Sequence, residues 1–429
     1  MPATAFPPIR TGPPPSPASL PTSPLGGRSD TQRTLGPVRT TRTTILPLLA
    51  VAVLAGTAAC VAPAPAARTP ETAAPSRSVD PVGDWVDERM SQLTTEQKAA
   101  ALLMLHAPGV DPAPLRAYVD KGVSGLILMG DNMPATPPEL AALTASVQAD
   151  PEAPALIGID EEGGEVQRLP WDGQPGADVL RNEPPAASED AFAARATALA
   201  DAGVSVNFGI VADVTPDPES FIAGRILGTD PRAAADRVAA AVTGERHVVE
   251  STLKHFPGHG AAPGDSHTSI PTAPLTMDEW RAGPAVPFEA GIDAGAELVM
   301  TGHLAYPAID QAPASLSPEW HRILRDELGF DGVVVSDDML MLQRNDLPEY
   351  ADPGENAVRA VAAGCDLLLY VLPADPAEVG VSVDGLVGSL TGAVESGRLS
   401  EERLDDAVER VLTLRRTIAV EEADSGSGE

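Results

Sequence analysis

Eight short apolar runs, separated by stretches of helical character, constrain the fold of this 429-residue chain more than any other feature. The runs are residues 102–106, 125–129, 155–160, 204–211, 252–255, 298–303, 332–337 and 366–371. The helical stretches between them include residues 138–149, 188–202, 231–245, 318–328 and 357–363. Strands that alternate with helices in this way predict an α/β fold, a single (β/α)8 TIM barrel. A doubly wound open sheet would produce the same local pattern and is the alternative.

Polar residues stand at or just past the C-terminal ends of these runs, and their position favours the barrel. They are Asp160, Asn207, Asp213, Lys254, His255, His303, Ser336 and Asp337. Barrel enzymes place their active sites on this face. One or two polar residues at strand ends would show only that the loops there are exposed to solvent, but eight of them indicate a functional site. The apolar positions of residues 379–415 have helical spacing and predict a cap on the barrel.

Residues 1–60 have the composition of a leader. Residues 1–37 are rich in Pro, Thr and Ser, and two arginines then precede the apolar run 45–55 and a small-residue stretch that ends at Cys60. This order is typical of a bacterial lipoprotein signal peptide, in which that Cys is lipidated. We therefore expect an extracytoplasmic protein anchored to the cell membrane through Cys60. A simply secreted form is the alternative.

The remaining boundaries follow from shifts in composition. Residues 61–81 are rich in Ala, Pro, Thr and Ser and indicate a flexible tether. Residues 82–415 hold the predicted barrel, and residues 416–429 form an acidic tail that we expect to be disordered. The formal net charge of -32 argues against nucleic acid as a partner, because phosphate binding needs clustered Lys and Arg.

The segment 158–169 places Asp160 at the end of a buried run and follows it with Gly163, Gly164 and Arg168. Glycines allow the backbone to approach a ligand closely, and the guanidinium supplies a planar set of donors. A carboxylate and a guanidinium in this arrangement suit sugar hydroxyl groups, although they could equally form a structural ion pair. The Lys-Ser/Thr of a phosphate-binding loop is missing.

The segment 332–339 follows three consecutive valines with Asp337 and Asp338. The β-branched run predicts a fully buried strand whose end presents a carboxylate to the barrel mouth. Such a carboxylate can attack an anomeric carbon and form a covalent intermediate. We expect Asp338 to be a loop or cap residue, although the sequence does not separate the two.

The segment 254–267 joins Lys254 and His255 to a loop, rich in Pro and Gly, that carries Asp265 and His267. Retaining glycosidases normally use two carboxyl groups. The candidates for the second one are Asp160, Asp213 and Asp265. A His can serve instead as acid and base, because its unperturbed pKa of about 6.5 lies near the working pH. Asp265 is placed to accept the other N–H of His267.

A metal site is the alternative interpretation of this segment. Its ligands would be His255, His259, Asp265 and His267. Pro257 and Gly258 break the helix that would put the first two histidines on one face. We therefore predict no metal and no organic cofactor.

Taken together, these motifs resemble the bacterial β-N-acetylhexosaminidases of glycoside hydrolase family 3. The resembling strings are Asp160-Glu-Glu-Gly-Gly-Glu-Val-Gln-Arg-Leu169, Lys254-His-Phe-Pro-Gly-His-Gly260 with Asp265-Ser-His267, and Ser336-Asp-Asp-Met339. The similarity covers roughly residues 82–415 and implies a TIM barrel that needs no cofactor.

The resemblance also implies roles for individual residues. It makes Asp337 the nucleophile and His267 the acid and base, with Asp265 as the partner of His267. The residues implied to hold N-acetylglucosamine are Asp160, Arg168, Arg225, Lys254, His255, Met300 and His303. His303 has the alternative of a satisfied core residue. Leu227 stands where the family commonly has Phe, so the packing of that loop differs from the family pattern.

The sequence therefore predicts an exo-acting, retaining β-N-acetylglucosaminidase. We expect a lipid-anchored monomer that releases terminal β-linked N-acetylglucosamine from fragments of peptidoglycan or chitin. One alternative is a lipid-anchored sugar-binding protein on an inactive barrel. The others are a broader β-glycosidase and a phosphorylase, since a neutral His repels phosphate less than a carboxylate would.

Overall fold

The computed structural model describes residues 80–426, so the predicted leader, Cys60 and nearly all of the tether lie outside the described residues. Within this range, eight parallel β-strands form the centre of the molecule. The strands are β1 (Leu103–Leu105), β2 (Gly125–Leu128), β3 (Leu156–Ile159), β4 (Val206–Val211), β5 (Glu250–Phe256), β6 (Leu298–Thr301), β7 (Val333–Ser336) and β8 (Leu368–Tyr370). Each strand overlaps one of the eight predicted runs.

The strands follow one another in chain order and close into a ring. Hydrogen-bonded neighbours run from β7 back to β1 and then to β8. The remaining seam is closed by a parallel bridge between Val335 and Leu367, where Ser336 N donates to Leu367 O at 2.9 Å. The prediction of a (β/α)8 barrel is confirmed, and the open-sheet alternative is excluded.

Helices alternate with the strands along the described chain. They are α1 (Pro81–Met90), α2 (Thr95–Ala100), α3 (Pro112–Val119), α4 (Pro137–Val147), α5 (Ala177–Leu180), α6 (Pro185–Ala200), α7 (Pro231–Glu245), α8 (Met277–Ala282), α9 (Ala285–Asp293), α10 (Pro318–Arg322), α11 (Leu340–Gln343), α12 (Pro353–Ala363), α13 (Val383–Glu395) and α14 (Glu401–Gly426). The five predicted helical stretches correspond to α4, α6, α7, α10 and α12. Between residues 80 and 426, no helix is both long and apolar enough to cross a lipid bilayer.

The helix starts explain why these stretches are helical. Asp230 precedes α7 and its carboxylate accepts from the N–H groups of Arg232 and Ala233, while Pro231 occupies the first helical position. An Asp cap followed by Pro is a favoured helix start, because Pro lacks the N–H that would otherwise need a partner. The same Asp-Pro start opens α12.

Apolar side chains fill the inside of the barrel, which is therefore a packed core and not a channel. Phe208 of β4 is fully buried in this cluster beside Met104 of β1. Gly158 of β3 makes room for the ring, since a Cβ at that position would lie 2.6 Å from Phe208 Cε2. The polar ends of the strands are thus held in place by a close-packed interior.

Helix α14 closes the end of the barrel at which the strands begin. Val411 and Ile418 belong to the same buried cluster as the inward residues of the strands. The predicted cap over residues 379–415 is confirmed. The expectation that residues 416–429 are disordered is wrong as far as Gly426, because the apolar face of the helix continues past residue 415.

Asp366, just before β8, ties three parts of the fold together. Its Oδ2 accepts from Val334 N of β7 at 2.9 Å and from Arg325 at 2.5 Å. Its Oδ1 accepts from Arg403 of α14 at 2.6 Å. The carboxylate is fully buried and both guanidinium groups are largely buried. Arg410 lies a further 3.6 Å from Oδ1, so loss of the carboxylate would leave three cations without this partner.

We expect Asp366→Ala to lower the free energy of unfolding by about 3–5 kcal/mol, the usual cost of breaking a buried ion pair. Urea unfolding followed by circular dichroism measures this change. The control is Asp384→Ala, which removes an exposed carboxylate 2.7 Å from Lys121 Nζ and should have no measurable effect. Equal effects of the two substitutions would contradict the anchoring role of Asp366.

Candidate active site

A pocket of about 380 Å³ opens at the C-terminal ends of the strands. Its size is typical of small-molecule sites, which span about 300–1,000 Å³. The predicted residues that line it are Asp160, Arg168, Arg225, Lys254, His255, His267, Met300 and Asp337. The structure thus brings most of the predicted site together. Asp265 and His303 are close to this group but do not line the pocket.

Lys254, near the end of β5, is the centre of a buried cluster of charges. Its Nζ lies 2.9 Å from Asp160 Oδ1 and 2.7 Å from Glu162 Oε1. Arg225 donates to both oxygens of Glu162, at 2.9 and 2.6 Å, and Arg168 donates to the second oxygen of Asp160 at 3.3 Å. Sequence reasoning missed Glu162, although it lies in the same charged string as Asp160.

Opposite charges decide the ionisation of this cluster. Burial alone would raise the pKa of Asp160, but Lys254 and Arg168 outweigh it and lower that pKa to about 2. Burial likewise opposes the lowered pKa of Glu162, which Lys254 and Arg225 cause. Burial would lower the pKa of Lys254, yet the two carboxylates raise it. The cluster is therefore charged at neutral pH and offers fixed donors and acceptors to a polar ligand.

A tight turn returns Arg168 to Asp160. Gly163 and Gly164 both have positive φ, 78° and 67°, a region that favours glycine. Glu161 holds the returning strand, because its Oε2 accepts from the N–H of Arg168 at 2.7 Å and from that of the next residue at 2.8 Å. The two glycines of the motif therefore shape the turn that positions the guanidinium.

Asp337 follows β7 and lines the pocket, as does its neighbour Asp338. Its N–H donates to Thr301 O at 3.0 Å, and its Oδ1 accepts from Asp338 N at 2.7 Å. Burial would raise its pKa, but the positive fields of His255 and His303 outweigh that effect and lower it. A deprotonated carboxylate that is partly exposed to the pocket is suited to act as a nucleophile.

Asp338 is distinguished from its neighbour by its partners. Its Oδ1 accepts from Leu340 N at 3.1 Å and Val371 N at 3.0 Å, and its Oδ2 lies 3.3 Å from Arg344. Burial raises the pKa of Asp338 to about 6. The expectation that Asp338 caps a loop agrees with these contacts, which bind its side chain to the backbone of two loops.

His267 lies on the long loop after β5, and its side chain is 54% exposed. Its Nδ1 donates to Asp265 Oδ1 at 2.7 Å, which leaves Nε2 for a ligand. Phe221 contacts the rings of both His267 and His259, each at 5.6 Å between centroids. His259 Nε2 lies 3.0 Å from Ser266 Oγ, so the residue before His267 is tied to the end of β5.

Asp213, a candidate for the second carboxyl group, has a supporting position instead. It is fully buried, and its Oδ2 lies 2.8 Å from His255 Nδ1. Its Oδ1 accepts from His259 N. Burial would raise its pKa, but His255 and His259 outweigh burial and lower it. Its oxygens thus orient the two histidines. In the range 80–426, no group of three or more His, Cys, Asp or Glu side chains is arranged to hold a metal ion.

His303 is buried, with 1% of its surface exposed. Its Nδ1 lies 2.7 Å from Ser315 Oγ, and its Nε2 lies 3.1 Å from Asp338 O. Both ring nitrogens therefore have partners within the protein. The core alternative for His303 fits these contacts, in which the ring supports the loop that carries Asp337 and Asp338.

Asn207 of β4 holds the backbone behind the charged cluster. Its Oδ1 accepts from Glu161 N and its Nδ2 donates to Glu161 O, both at 3.1 Å. The Nδ2 group also donates to Glu245 Oε1 at 2.5 Å. Burial raises the pKa of Glu245 to about 8 and that of Glu161 to about 7. Asn207 is the second residue of β4, so the prediction that it stands at the C-terminal end of a strand is wrong, and this network accounts for a buried polar residue that does not line the pocket.

Comparisons with known proteins agree with this geometry. The family described as "Glycosyl hydrolase family 3 N terminal domain" matches residues 87–414. A β-hexosaminidase of Stenotrophomonas maltophilia (strain K279a) is 35% identical over 327 residues, which are 69% of this chain and 93% of the relative.

Solved structures give the same result. A family 3 β-N-acetylglucosaminidase from Paenibacillus sp. str. FPU-7 has a TM-score of 0.69 at 34% identity, over 76% of this chain and 63% of that chain. This chain therefore spans less than two thirds of the Paenibacillus protein. A β-N-acetylhexosaminidase from Beutenbergia cavernae DSM 12333 has a TM-score of 0.67 at 30% identity, over 76% of this chain and 99% of that chain.

The buried Glu245 makes stability depend on pH. Its pKa is about 8 in the folded protein against an ordinary 4.5, so the native state keeps a proton that the unfolded chain has lost. The free energy of unfolding therefore falls as pH rises through this window. Glu245→Gln keeps an acceptor for Asn207 and cannot ionise. We expect it to raise the free energy of unfolding by up to about 4 kcal/mol at pH 8 and by under about 1 kcal/mol at pH 5, at about 1.4 kcal/mol per pKa unit.

Urea unfolding at both pH values measures the effect. Glu378→Gln, which neutralises an exposed carboxylate, controls for the change in net charge. A gain of the same size at pH 5 and pH 8 would show that Glu245 is not protonated in the folded state.

Proposed function

The chain belongs to glycosyl hydrolase family 3, and from this premise we propose that it is an exo-acting, retaining β-N-acetylglucosaminidase. The observation that carries the proposal is the pocket shared by a deprotonated Asp337 and by His267, whose ring is oriented by Asp265. Two such groups are what a double displacement at an anomeric carbon requires. A sugar-binding protein on an inactive barrel would have no need of both.

In the first step, Asp337 attacks C1 of the terminal sugar and forms a glycosyl ester. The bond from C1 to the leaving oxygen breaks, and the protonated imidazole of His267 gives its proton to that oxygen. Because Nδ1 of His267 is held by Asp265, the transferred proton comes from Nε2. Asp265 also holds the imidazole ring in the orientation that directs Nε2 away from this contact.

In the second step, His267 is neutral and accepts a proton from water. The water oxygen attacks C1, the ester bond to Asp337 breaks, and the sugar leaves with its original β configuration. The imidazolium is thereby restored for the next cycle.

The charged cluster holds the sugar in place for both steps. Asp160, Lys254 and Arg168 present ionised groups at the pocket, and these accept from or donate to sugar hydroxyls. Arg225 is oriented by Glu162 on one side and lies 3.5 Å from His255 Nε2 on the other. A cavity of about 380 Å³ limits binding to a chain end, which supports exo action.

The proposed substrates are fragments of peptidoglycan or chitin that end in β-linked N-acetylglucosamine. We place the protein outside the cytoplasmic membrane as a monomer, anchored by lipid on Cys60, because its leader has the features of a lipoprotein signal peptide. Similarity to a β-hexosaminidase and to a β-N-acetylglucosaminidase supports N-acetylglucosamine as the released sugar.

We expect Asp337→Ala to lower kcat on the 4-nitrophenyl glycoside of β-N-acetylglucosamine by about 10⁴-fold or more. We expect His267→Ala to lower kcat/KM by about 10²- to 10⁴-fold on a disaccharide and much less on the 4-nitrophenyl glycoside, since kcat/KM reports the first step and 4-nitrophenolate leaves without a proton. Added azide distinguishes the two roles. It should give the α-glycosyl azide with Asp337→Ala and the β-glycosyl azide with His267→Ala.

The control is His247→Ala, which removes a histidine whose side chain is 72% exposed and should change neither rate. A folded parent chain without activity on the aryl glycoside would reject the proposed reaction. Azide products of one configuration from both variants would reject the assignment of roles.

We also expect Cys60→Ser to abolish the incorporation of labelled palmitate when the full chain is expressed in a bacterium, and to move the protein out of the membrane fraction. The control is Cys365→Ala, because Cys365 is a free cysteine buried in the barrel. Unchanged labelling of Cys60→Ser would exclude this cysteine as the anchor.

A further inference from the structure

A second cavity, of about 490 Å³, lies beside the acid/base pair. One wall is the loop after β4, over residues 215–221, and the other is the loop of residues 260–265. Phe221 lines both this cavity and the pocket that holds Asp337. The two spaces therefore share Phe221 as a wall, and the centroid of its ring lies 5.6 Å from that of His267.

The proposed reaction indicates which part of the substrate lies next to this cavity. The group that protonates the leaving oxygen must lie on the leaving-group side of the cleaved bond. His267 has that task, so the leaving group extends from the pocket toward His267 and past Phe221. An aromatic ring at that point offers a face to the apolar C–H surface of a sugar.

We propose that this cavity binds the leaving group, and that its carboxylates select neutral or cationic leaving groups over anionic ones. The inference rests on the proposed function and narrows its substrate. A neutral N-acetylglucosamine leaving group, as in chitin fragments, would be preferred to a muramic acid leaving group, which carries a lactyl carboxylate.

The charged residues of the cavity all have one sign. They are Asp217, Glu219 and Asp265, and among the described residues that line the cavity none is Lys or Arg. Asp265 is paired with His267. Asp217 and Glu219 are exposed, and no ion pair within residues 80–426 neutralises either of them. An anionic leaving group would therefore meet uncompensated negative charge.

The Lys and Arg side chains that line the neighbouring pocket are already engaged. Lys254 and Arg225 pair with Glu162, and Arg168 pairs with Asp160. Arg344, which follows the last residue of α11 and also lines that pocket, pairs with Asp338 at 3.3 Å. None of these lines the second cavity, so none would offset its charge.

The test uses two substrates that differ in one charge. The first is N-acetylglucosaminyl-β-1,4-N-acetylmuramic acid, and the second is its primary amide, in which the lactyl carboxylate is neutral. We expect the purified full chain to cleave the amide with about fourfold higher kcat/KM at low salt, as follows from two unscreened charges at about 10 Å in water. The ratio should fall toward one at about 1 M salt, where the screening length is about 3 Å.

A double substitution assigns the effect to the cavity. Asp217→Asn together with Glu219→Gln should bring the amide-to-acid ratio at low salt close to one. Asn at position 217 keeps the oxygen that accepts from Glu219 N at 3.0 Å, so the loop conformation is preserved. The control is Glu402→Gln in the first turn of α14, which should leave the ratio as in the parent chain.

Equal kcat/KM for acid and amide in the parent chain would overturn the inference, as would a ratio that the double substitution does not change. Both results leave the proposed glycosidase intact, because the aryl glycoside is still cleaved. Loss of cleavage of the aryl glycoside and of both disaccharides by the parent chain would overturn the proposed function and this inference together.

Discussion

The charge of Lys254 is the constraint on which the pocket depends. A lysine that is 2% exposed stays charged only if anions surround it, and Asp160 and Glu162 do so. Each carboxylate in turn holds a second cation, Arg168 or Arg225. Removing one member would leave a buried charge uncompensated, which costs more than the intact arrangement contributes. The floor of the pocket is therefore a single electrostatic unit, and its members cannot be substituted independently.

Much of the fold could be predicted from the sequence because its signals are local. Buried parallel strands are short and apolar, and capped helices follow them. The alternation of strands and helices could therefore be predicted without knowledge of any tertiary contact. The family could be recognised as well, because the motifs around Asp160, Lys254 and Asp337 are contiguous in the sequence. Helices such as α1 and α5 were missed, since they lack a long apolar period. The prediction of a disordered tail was wrong because its few apolar residues, such as Ile418, are buried only where α14 packs against the end of the barrel at which the strands begin.

What could not be predicted is which polar group partners which. Glu162 lies 92 positions before Lys254 in the chain, and only the closed barrel brings them to 2.7 Å. Asp337 and Asp338 have the same chemistry, and one partner that separates them, Val371 N, lies just after β8, more than 30 positions along the chain. His303 has no local signal for its contact with Ser315. Roles that arise from long-range pairing thus need the structure, whereas roles carried by a contiguous motif do not.

The packing of the two terminal helices has a consequence for attachment. Helix α1 lies against α14, where Arg416 stacks 5.1 Å from the ring of Trp85, and α14 covers the end of the barrel opposite to the pocket. The described chain therefore begins and ends on the side that substrate never approaches. A bead or a fusion partner joined at either end of the described range would therefore leave the mouth of the pocket open to solution.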